Sequence, residues 1–377
     1  MVQGTQSLIR LASPDLHDED LERVLNVLKS GELVQGKAVE EFENLLSGFT
    51  QIPHAIAVSS CTAALHLALI SLEIGVGDRV LVPAFTYPAT ANAVERCGAN
   101  IELCDVDPLS YVVTPESIEQ YLKSNIQNQF KALIVVHEFG FPADMKAISE
   151  IAKRYGVLLI EDAACALGTS ANGHHPGFYS DAACLSFHPR KAITTGEGGA
   201  LLTSSSKLME KFKQLRNHGI NNHNGVFDFV EAGLNYRLTN FQAALGIGQL
   251  NRFQRELDAR KKLAAIYMEE LKSLTQIRLP KLSPGHSLQS FMITTQPGQR
   301  DDIKRSLANL QVESNLGAQA LNCLTYYQNK YQFTRETCPN ASTLFTAGLV
   351  LPLYGKLTPD NIRYICECLT KILGEGQ

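Results

Sequence analysis

The chain has 377 residues, of which 45% are hydrophobic and 19% are charged, and its formal net charge is −4. This length and composition are typical of a globular protein with one large and one smaller domain. The slightly acidic balance and the lack of a long basic run argue against nucleic acid or an anionic membrane as a partner. No apolar run is long enough to span a bilayer, and the first residues lack the pattern of a secretory signal. We therefore expect a cytoplasmic protein.

The nine cysteines are odd in number and scattered along the chain, and none of them forms a C-x-x-C pair. This pattern argues against a disulfide framework and against a zinc site. We expect buried free thiols, which are common in the reducing cytosol, and we predict no bound metal.

In chain order, the first predicted element is a helix over about 18–30. Short apolar segments follow it and alternate with helical patterns at 145–155 and 206–217. The segments that predict strands are 80–83, 132–136, 157–160, 183–187 and 200–203. Because these segments are continuously apolar, we expect them to be buried on both faces. The alternation predicts an α/β fold in which helices cover both faces of a large, mostly parallel sheet.

A long helical stretch over 240–272 leads out of the sheet domain, and a loop at 279–285 follows it. The last helix is predicted to start with Thr358 as its cap and Pro359 at its first position, a common pairing at helix starts. We divide the chain into an N-terminal segment with a large α/β domain over 1–250 and a small α+β domain over 251–377.

The segment VSSCTAALHLAL, at 58–69, is a turn of small residues that runs into a helix. Small residues let the backbone approach an anion, and a helix start offers free N–H groups and a favourable dipole. We expect Thr62 and Ala63 to contact a phosphate there. The alternative is that the serines and the threonine only cap the helix.

An aromatic residue follows the predicted strand at 80–83 in the segment PAFTYPATAN. Tyr87 is the candidate to stack on a planar cofactor ring, because ring faces favour offset stacking. Phe85 is expected to belong to the core. The alternative for Tyr87 is ordinary packing.

Asp162 and Lys191 form the central pair of the predicted site. Asp162 closes a strand, and ligands of open α/β sheets bind beyond the carboxyl ends of the strands. A carboxylate there can pair with the protonated ring nitrogen of pyridoxal phosphate (PLP); the alternative is a helix cap, and Lys191 at a neighbouring strand end favours the cofactor role. Lys191 stands in SFHPRKAITTGEGG, between a strand and a glycine-rich turn, and lysine amines form Schiff bases with PLP. Ser186, at the end of the preceding strand, is a further phosphate candidate.

Together these segments resemble the DegT–StrS family of PLP-dependent sugar aminotransferases. The motifs that carry the resemblance occur in order as SSCTAALHLAL, VPAFTYPATANAV, HEFGFPADM, IEDAACALG, SFHPRKAITTGEGG, RNHGI and GLNYRLTNFQAALG. The resemblance covers roughly 8–370 and implies the PLP-dependent transferase type I fold. The implied cofactor-binding residues are Lys191, Asp162, Thr62, Ala63, Ser186, Tyr87 and, from a neighbouring subunit, Asn235.

The resemblance also implies a reaction and an assembly. Lys191 would form the Schiff base and then move a proton, while glutamate or glutamine would donate the amine to a keto sugar carried on a nucleotide. Members are usually homodimers with sites at the subunit interface. The alternatives are an aminotransferase of a cyclitol or another free ketone, a sugar dehydratase of the same fold, and a non-catalytic PLP-binding protein. The dehydratase branch typically replaces the lysine, so Lys191 argues against it.

The chain departs from the family pattern at several positions. Cys165 stands where members commonly have His or Gln, and Cys61 stands where many have Gly. Near the substrate, members often carry Leu-His-x-x-Pro-x-Tyr, whereas this chain has Asn322 for the His and Thr325 for the Pro. The preceding segment at 314–319 is also unusual. We expect the substrate pocket to differ most from the family pattern.

Overall fold

The computed structural model describes residues 7–125, 127, 129–223 and 225–374. The strands are β1 His54–Val58, β2 Arg79–Pro83, β3 Phe85–Thr86, β4 Asn100–Cys104, β5 Ala132–Val136, β6 Leu158–Asp162, β7 Ala182–Ser186, β8 Gly199–Thr203, β9 Ile220–His223, β10 Val226–Phe229, β11 Phe291–Thr294, β12 Asn315–Leu316, β13 Gln319–Ala320 and β14 Gly348–Leu351. The helices are α1 Asp18–Ser30, α2 Lys37–Thr50, α3 Cys61–Ser71, α4 Ala89–Arg96, α5 Pro115–Ser124, α6 Met145–Tyr155, α7 Ser206–Arg216, α8 Asn240–Asn251, α9 Phe253–Leu271, α10 Arg300–Asn309, α11 Thr325–Tyr331, α12 Pro339–Ala347 and α13 Pro359–Gly374.

The large sheet has the strand order β1-β8-β7-β6-β5-β2-β4. The strands from β7 to β4 along that order pair in parallel, whereas β8 and β1 run antiparallel to their neighbours. Strand β5 is buried at every position, and β2, β6 and β7 at all but one position each, because helices cover both faces of the sheet. The predicted α/β fold with a mostly parallel sheet is confirmed.

The register of the parallel strands aligns their carboxyl ends at one edge. Val136 pairs with Asp162, and Asp162 pairs with Cys184. Residues that follow β5, β6 and β7 therefore emerge side by side, which is where open α/β sheets bind their ligands.

A second core lies in the C-terminal part, around the three-stranded sheet β11-β14-β12. Buried side chains of α9, α10 and α13 pack there, with Tyr267 stacked on Phe291 at a centroid distance of 4.7 Å. From this part the chain returns to the large domain, since β13 pairs with β3. That pairing places the segment at 315–319 beside Thr86 and Tyr87. The proposed division at residue 250 stays a prediction.

One predicted element is wrong in detail. The long helical stretch at 240–272 is two helices, α8 and α9, which meet at Arg252. Arg252 leaves helical geometry, with φ −103° and ψ 4°, and its guanidinium donates to the Asp20 carboxylate and the Asp15 carbonyl. The bend therefore serves a tertiary contact with the N-terminal segment, which helical periodicity does not show. In the described part of the chain, no helix has the length and apolarity needed to cross a membrane.

Candidate active site

Two adjoining cavities lie at the carboxyl edge of the large sheet. The first, of about 470 Å³, is lined by the start of α3 and is called here the helix-side cavity. The second, of about 270 Å³, reaches toward the C-terminal part and is called the deep cavity. The residues that line both are Tyr87, Asp162, Ala164, Arg190 and Lys191. The sequence-predicted pair Asp162 and Lys191 thus lies where the two cavities meet.

Lys191 contacts the thiol of Cys165, with Nζ 3.0 Å from Sγ. Burial opposes the charge on Lys191, but Cys165 and Glu138 favour it, and the pKa of Lys191 lies above its ordinary value. Burial raises the pKa of the Cys165 thiol, while the charge of Lys191 and its hydrogen bond to Sγ oppose that rise. The contact gives Cys165 a physical role beside the lysine that its sequence position does not reveal.

Asp162 is buried, with 5% of its surface exposed, and its carboxylate accepts two hydrogen bonds. Thr90 Oγ1 donates to Oδ2 at 2.7 Å, and the backbone N–H of Ala164 donates to Oδ1 at 3.1 Å. Burial raises the pKa of Asp162, while these two donors and the positive charge of Lys191 oppose that rise. No described helix begins at Asp162, so the helix-cap alternative is wrong. Thr90 was not predicted, because nothing in the sequence links it to a residue so far along the chain.

The start of α3 forms one wall of the helix-side cavity. Ser60 is the N-cap, and its Oγ accepts from the N–H of Ala63 at 3.0 Å. Cys61 and Thr62 line the cavity, whereas Ala63 is buried. The first amides of a helix have no intrahelical acceptor, so those of Cys61 and Thr62 are available to an anion. Ser60 therefore caps the helix, and its bond occupies the amide of Ala63, a residue expected to contact the phosphate. The phosphate contact of Thr62 stays a prediction.

Close packing holds that turn against the glycine-rich loop. A Cβ on Gly199 would lie 2.5 Å from the carbonyl carbon of Ser60 and 2.6 Å from the backbone nitrogen of Cys61. Gly196 has a φ of +81°, a left-handed conformation that favours glycine. The two glycines therefore allow the tight, closely packed turn that follows Lys191.

The three remaining predicted site residues differ in their position relative to the two cavities. Ser186 lines the helix-side cavity. Tyr87 borders both cavities and is 72% exposed, whereas Phe85 is fully buried in the core as expected. Asn235 lines neither cavity and forms an isolated bridge with Asn217. Its expected contact with the site of a neighbouring subunit stays a prediction.

The C-terminal part closes the deep cavity with the segment at 315–319 and with Gln289. The side-chain amide of Gln289 donates to the Arg190 carbonyl at 2.8 Å, which fixes the residue before the lysine. Asn322 lines neither cavity; it is fully buried and donates to the Thr334 carbonyl and to Ser342 Oγ, both at 2.9 Å. The departure at Asn322 therefore serves packing, and the unusual segment before it borders the pocket.

Glu138 also lines the deep cavity and was not predicted as a site residue. It follows β5 directly after His137 and is only 6% exposed. Burial raises the pKa of Glu138 to about 7, with the charge of Lys191 opposing the rise and Asp162 adding to it. The strand-end rule that selected Asp162 would also have selected Glu138, had it been applied to the strand before.

These groups fit a small planar ligand with three features. An aldehyde would meet Lys191, a protonated ring nitrogen would meet Asp162, and a phosphate would meet the start of α3 and Ser186. Tyr87 and Ala164 border the space that the ring of such a ligand would occupy. Pyridoxal phosphate has all three features.

Comparisons with known proteins find relatives along nearly the whole chain. A sequence model of the DegT/DnrJ/EryC1/StrS aminotransferase family matches residues 14–370. A GDP-perosamine synthase of Caulobacter vibrioides is 33% identical over 97% of this chain and 98% of its own length. A GDP-perosamine synthase of Vibrio cholerae is 32% identical over 96% of this chain and 98% of its own length. The PLP form of the putative sugar aminotransferase Spr1654 from Streptococcus pneumoniae superimposes with a TM-score of 0.90 at 26% identity, over 98% of this chain and 100% of that one.

Proposed function

Because the chain belongs to the DegT/DnrJ/EryC1/StrS aminotransferase family, we propose that it moves an amino group from glutamate or glutamine to a keto sugar carried on a nucleotide. The family membership and the PLP form of the Spr1654 structure make it a PLP-dependent aminotransferase.

The observation that carries the proposal is the meeting of Lys191 and Asp162 between two cavities. One cavity offers the helix start for the cofactor phosphate, and the other leaves room for a substrate on the far side of the lysine. A site that only bound the cofactor would not need the second cavity. The arrangement therefore favours a catalytic protein over a non-catalytic PLP-binding one.

Lys191 and Asp162 would have different roles in the reaction. When bound, PLP supplies a ring that takes up the electron pair released at the substrate carbon. The Asp162 carboxylate holds a proton on the ring nitrogen. The Lys191 amine attaches the cofactor and, once displaced by the donor, takes a proton from the substrate α-carbon and returns it as a positioned base and acid.

The other predicted residues bind and orient. Thr62 and Ser186 would hold the phosphate, with Cys61 and Thr62 supplying the free amides of α3, and Tyr87 would cover the ring face. Asn235 would reach the phosphate of a neighbouring subunit in a homodimer. Because Tyr87 is exposed at the border of both cavities, the face of its side-chain ring is accessible to a ligand.

One observation supports a keto sugar nucleotide, and a second limits how such a substrate would bind. The relatives are named for making GDP-perosamine, a nucleotide-linked amine. The deep cavity, at about 270 Å³, is small for a whole nucleotide sugar, since pockets that bury drug-sized ligands hold roughly 300–1,000 Å³. It would take the sugar ring beside Lys191, while the nucleotide lies along the open surface near Arg190.

The test is the visible absorbance of the purified protein with PLP, before and after L-glutamate, followed by a panel of GDP-, UDP- and dTDP-linked keto sugars. We expect a band that bleaches with glutamate and returns with one keto sugar nucleotide. Return of the band only with a cyclitol ketone would favour the alternative substrate class. A band that never responds to any amino donor would overturn the proposal.

A further inference from the structure

The turn that carries Glu138 is strained. Residues Glu138–Gly140 form one turn of 3-10 helix, within which Phe139 has φ 55° and ψ 12°. A bulky residue in this left-handed region is unfavourable, by roughly 1–3 kcal/mol, and persists only where its surroundings impose it. Such strain concentrates at functional sites, which makes the side chains positioned by this turn candidates for a functional role.

Hydrogen bonds from the chain at 286–289 impose the strained turn. The carbonyl of Phe139 accepts from the N–H of Gln289 at 3.0 Å and from His286 Nε2 at 3.2 Å. The carbonyl of Gly140 accepts from the N–H of Ser287 and from Thr169 Oγ1. These bonds fix the backbone on the carboxyl side of Glu138 and give its side chain one direction.

That direction leads into the deep cavity. Glu138 lines it together with Lys191, Asp162 and Cys165, and the charges of Lys191 and Asp162 both act on it. The titratable and charged groups around Glu138 are Lys191, Asp162, Cys165, Tyr87 and Arg190 in the cavity, and His137 and His286 beside the turn. Lys191 and Arg190 are the cations among them. His137 and His286 are held by other partners.

The two carboxyl groups of the cavity differ in their donors. Asp162 accepts from the Thr90 hydroxyl and the Ala164 amide, and both bonds favour its charged form. Among the described side chains, none donates a hydrogen bond to the Glu138 carboxyl, and only the Phe139 amide favours its charge. Two like charges in a buried site separate their pKa values, and the group whose charge is stabilised by fewer hydrogen-bond donors holds the proton. Glu138 is that group, and its pKa of about 7 agrees with this assignment.

We propose that Glu138 is the proton-holding partner of Lys191. Near neutral pH the Glu138 carboxyl holds its proton and is neutral. As the pH rises above that range, Glu138 releases this proton to solvent, and the resulting carboxylate stabilises positive charge on the nitrogen of Lys191. Glu138 acts through Lys191 and is therefore a positioning residue; the inference rests on the proposed function of Lys191.

The test is a pH titration of the visible absorbance of the PLP-loaded protein, for wild type, Glu138→Gln and Glu138→Asp. Above neutral pH, an anionic Glu138 stabilises positive charge on the nitrogen that joins Lys191 to the cofactor. Glu138→Gln removes this charge, so the midpoint of the titration should move to lower pH by about one unit or more. Glu138→Asp keeps a carboxyl and should restore most of the shift.

The control is Glu95→Gln, which removes a carboxylate with an 8% exposed side chain that lies outside both cavities and should leave the midpoint unchanged. A cofactor-free measurement accompanies it: the pH dependence of acylation of Lys191, followed by mass spectrometry, should shift in the same direction in Glu138→Gln. An unchanged midpoint in Glu138→Gln, or an equal shift in Glu138→Asp, would overturn the inference. A wild-type protein with no visible band would instead contradict the proposed function.

Discussion

The two cavities of the site differ in how they are built. The helix-side cavity is lined only by segments around the large sheet, namely the start of α3, the residues after β3 and β6, and the loop from β7 to β8. The deep cavity is formed by residues from the N-terminal segment, three strand ends and the C-terminal part, among them Ala12, Glu138, Cys165, Gln289 and Asn315. The first cavity uses segments around the large sheet alone, whereas the second also takes residues from the N-terminal segment and the C-terminal part.

This difference explains what each cavity does and how it can change. A phosphate presents the same shape in every reaction, so one helix start and one tight turn suffice to bind it. A substrate pocket must vary, and loops from several elements can change independently without disturbing the cofactor. The departures from the family pattern at Cys165 and in the segment at 314–319 accordingly border the deep cavity.

Lys191 belongs to both cavities, and its removal should have the largest effect. Lys191→Ala should lower the rate of amino transfer by more than about 10³-fold, because covalent attachment and proton transfer both depend on its amine. Turnover with glutamate and a keto sugar nucleotide is the measurement. Lys207→Ala, at an exposed lysine of α7, is the control and should be neutral; near-normal transfer by Lys191→Ala would contradict the assignment.

Gly199→Ala should break the helix-side cavity alone. The added Cβ would meet the backbone of Ser60 and Cys61 at 2.5–2.7 Å, and backbone cannot move aside as a side chain can. We expect a loss of stability of about 1–3 kcal/mol, typical of overpacking, together with weaker PLP binding. Thermal unfolding and PLP titration measure the two effects. Gly48→Ala, where no atom lies within 4 Å of the new Cβ, is the matched control, and equal losses in both variants would refute the packing argument.

Glu138→Gln should change the deep cavity in a pH-dependent way. The pKa of Glu138 is about 7 in the folded state, above the ordinary value of 4.5. Folding of the wild type therefore becomes less favourable as the pH rises from the ordinary pKa to the folded-state pKa. Above about pH 7, the Gln variant should be more stable than wild type by about 1–3 kcal/mol. At or below the ordinary pKa, the difference should vanish.

Denaturant unfolding of the cofactor-free protein at two pH values measures this difference. Glu95 provides the opposite sign, because hydrogen bonds from Lys330 and two tyrosines outweigh burial and lower its pKa. Its stabilisation is present above the ordinary pKa and is lost as the pH falls, so Glu95→Gln should be destabilised near neutral pH. If Glu138→Gln were also destabilised near neutral pH, Glu138 would not be a buried carboxyl that holds its proton.

Thr90→Val should have the smallest effect of these variants. It keeps the shape of the side chain and removes the hydroxyl that donates to Asp162 at 2.7 Å. A hydrogen bond to a charged group contributes about 1.5–3 kcal/mol at most, and the Ala164 amide remains. We expect PLP affinity to fall about tenfold with unchanged folding, measured by fluorescence titration. An equal loss in Thr114→Val, a threonine that caps α5 far from the site, would point to a general effect of the substitution.

Much of the fold was predictable because its signals are local. The helices Asp18–Ser30 and Met145–Tyr155 match their predicted bounds, and Thr358 caps the last helix as expected, accepting from the Asn361 N–H at 3.2 Å. Periodicity failed at Arg252, where a tertiary bond to Asp20 divides one predicted helix into two. Helical patterns report which face is buried, and they carry no sign of a distant carboxylate.

By itself, the sequence determined the type of sheet, the family, and the roles proposed for Lys191, Asp162 and the start of α3. Each of these follows from a short segment whose neighbours in the chain are its neighbours in space. Only the tertiary structure decided that Thr90 holds Asp162, that Cys165 touches Lys191, and that Glu138 lines the same cavity as both. These contacts join residues on different strands and loops, and the register of β5, β6 and β7 brings them together. Register depends on the packing of the whole sheet, which no single segment encodes.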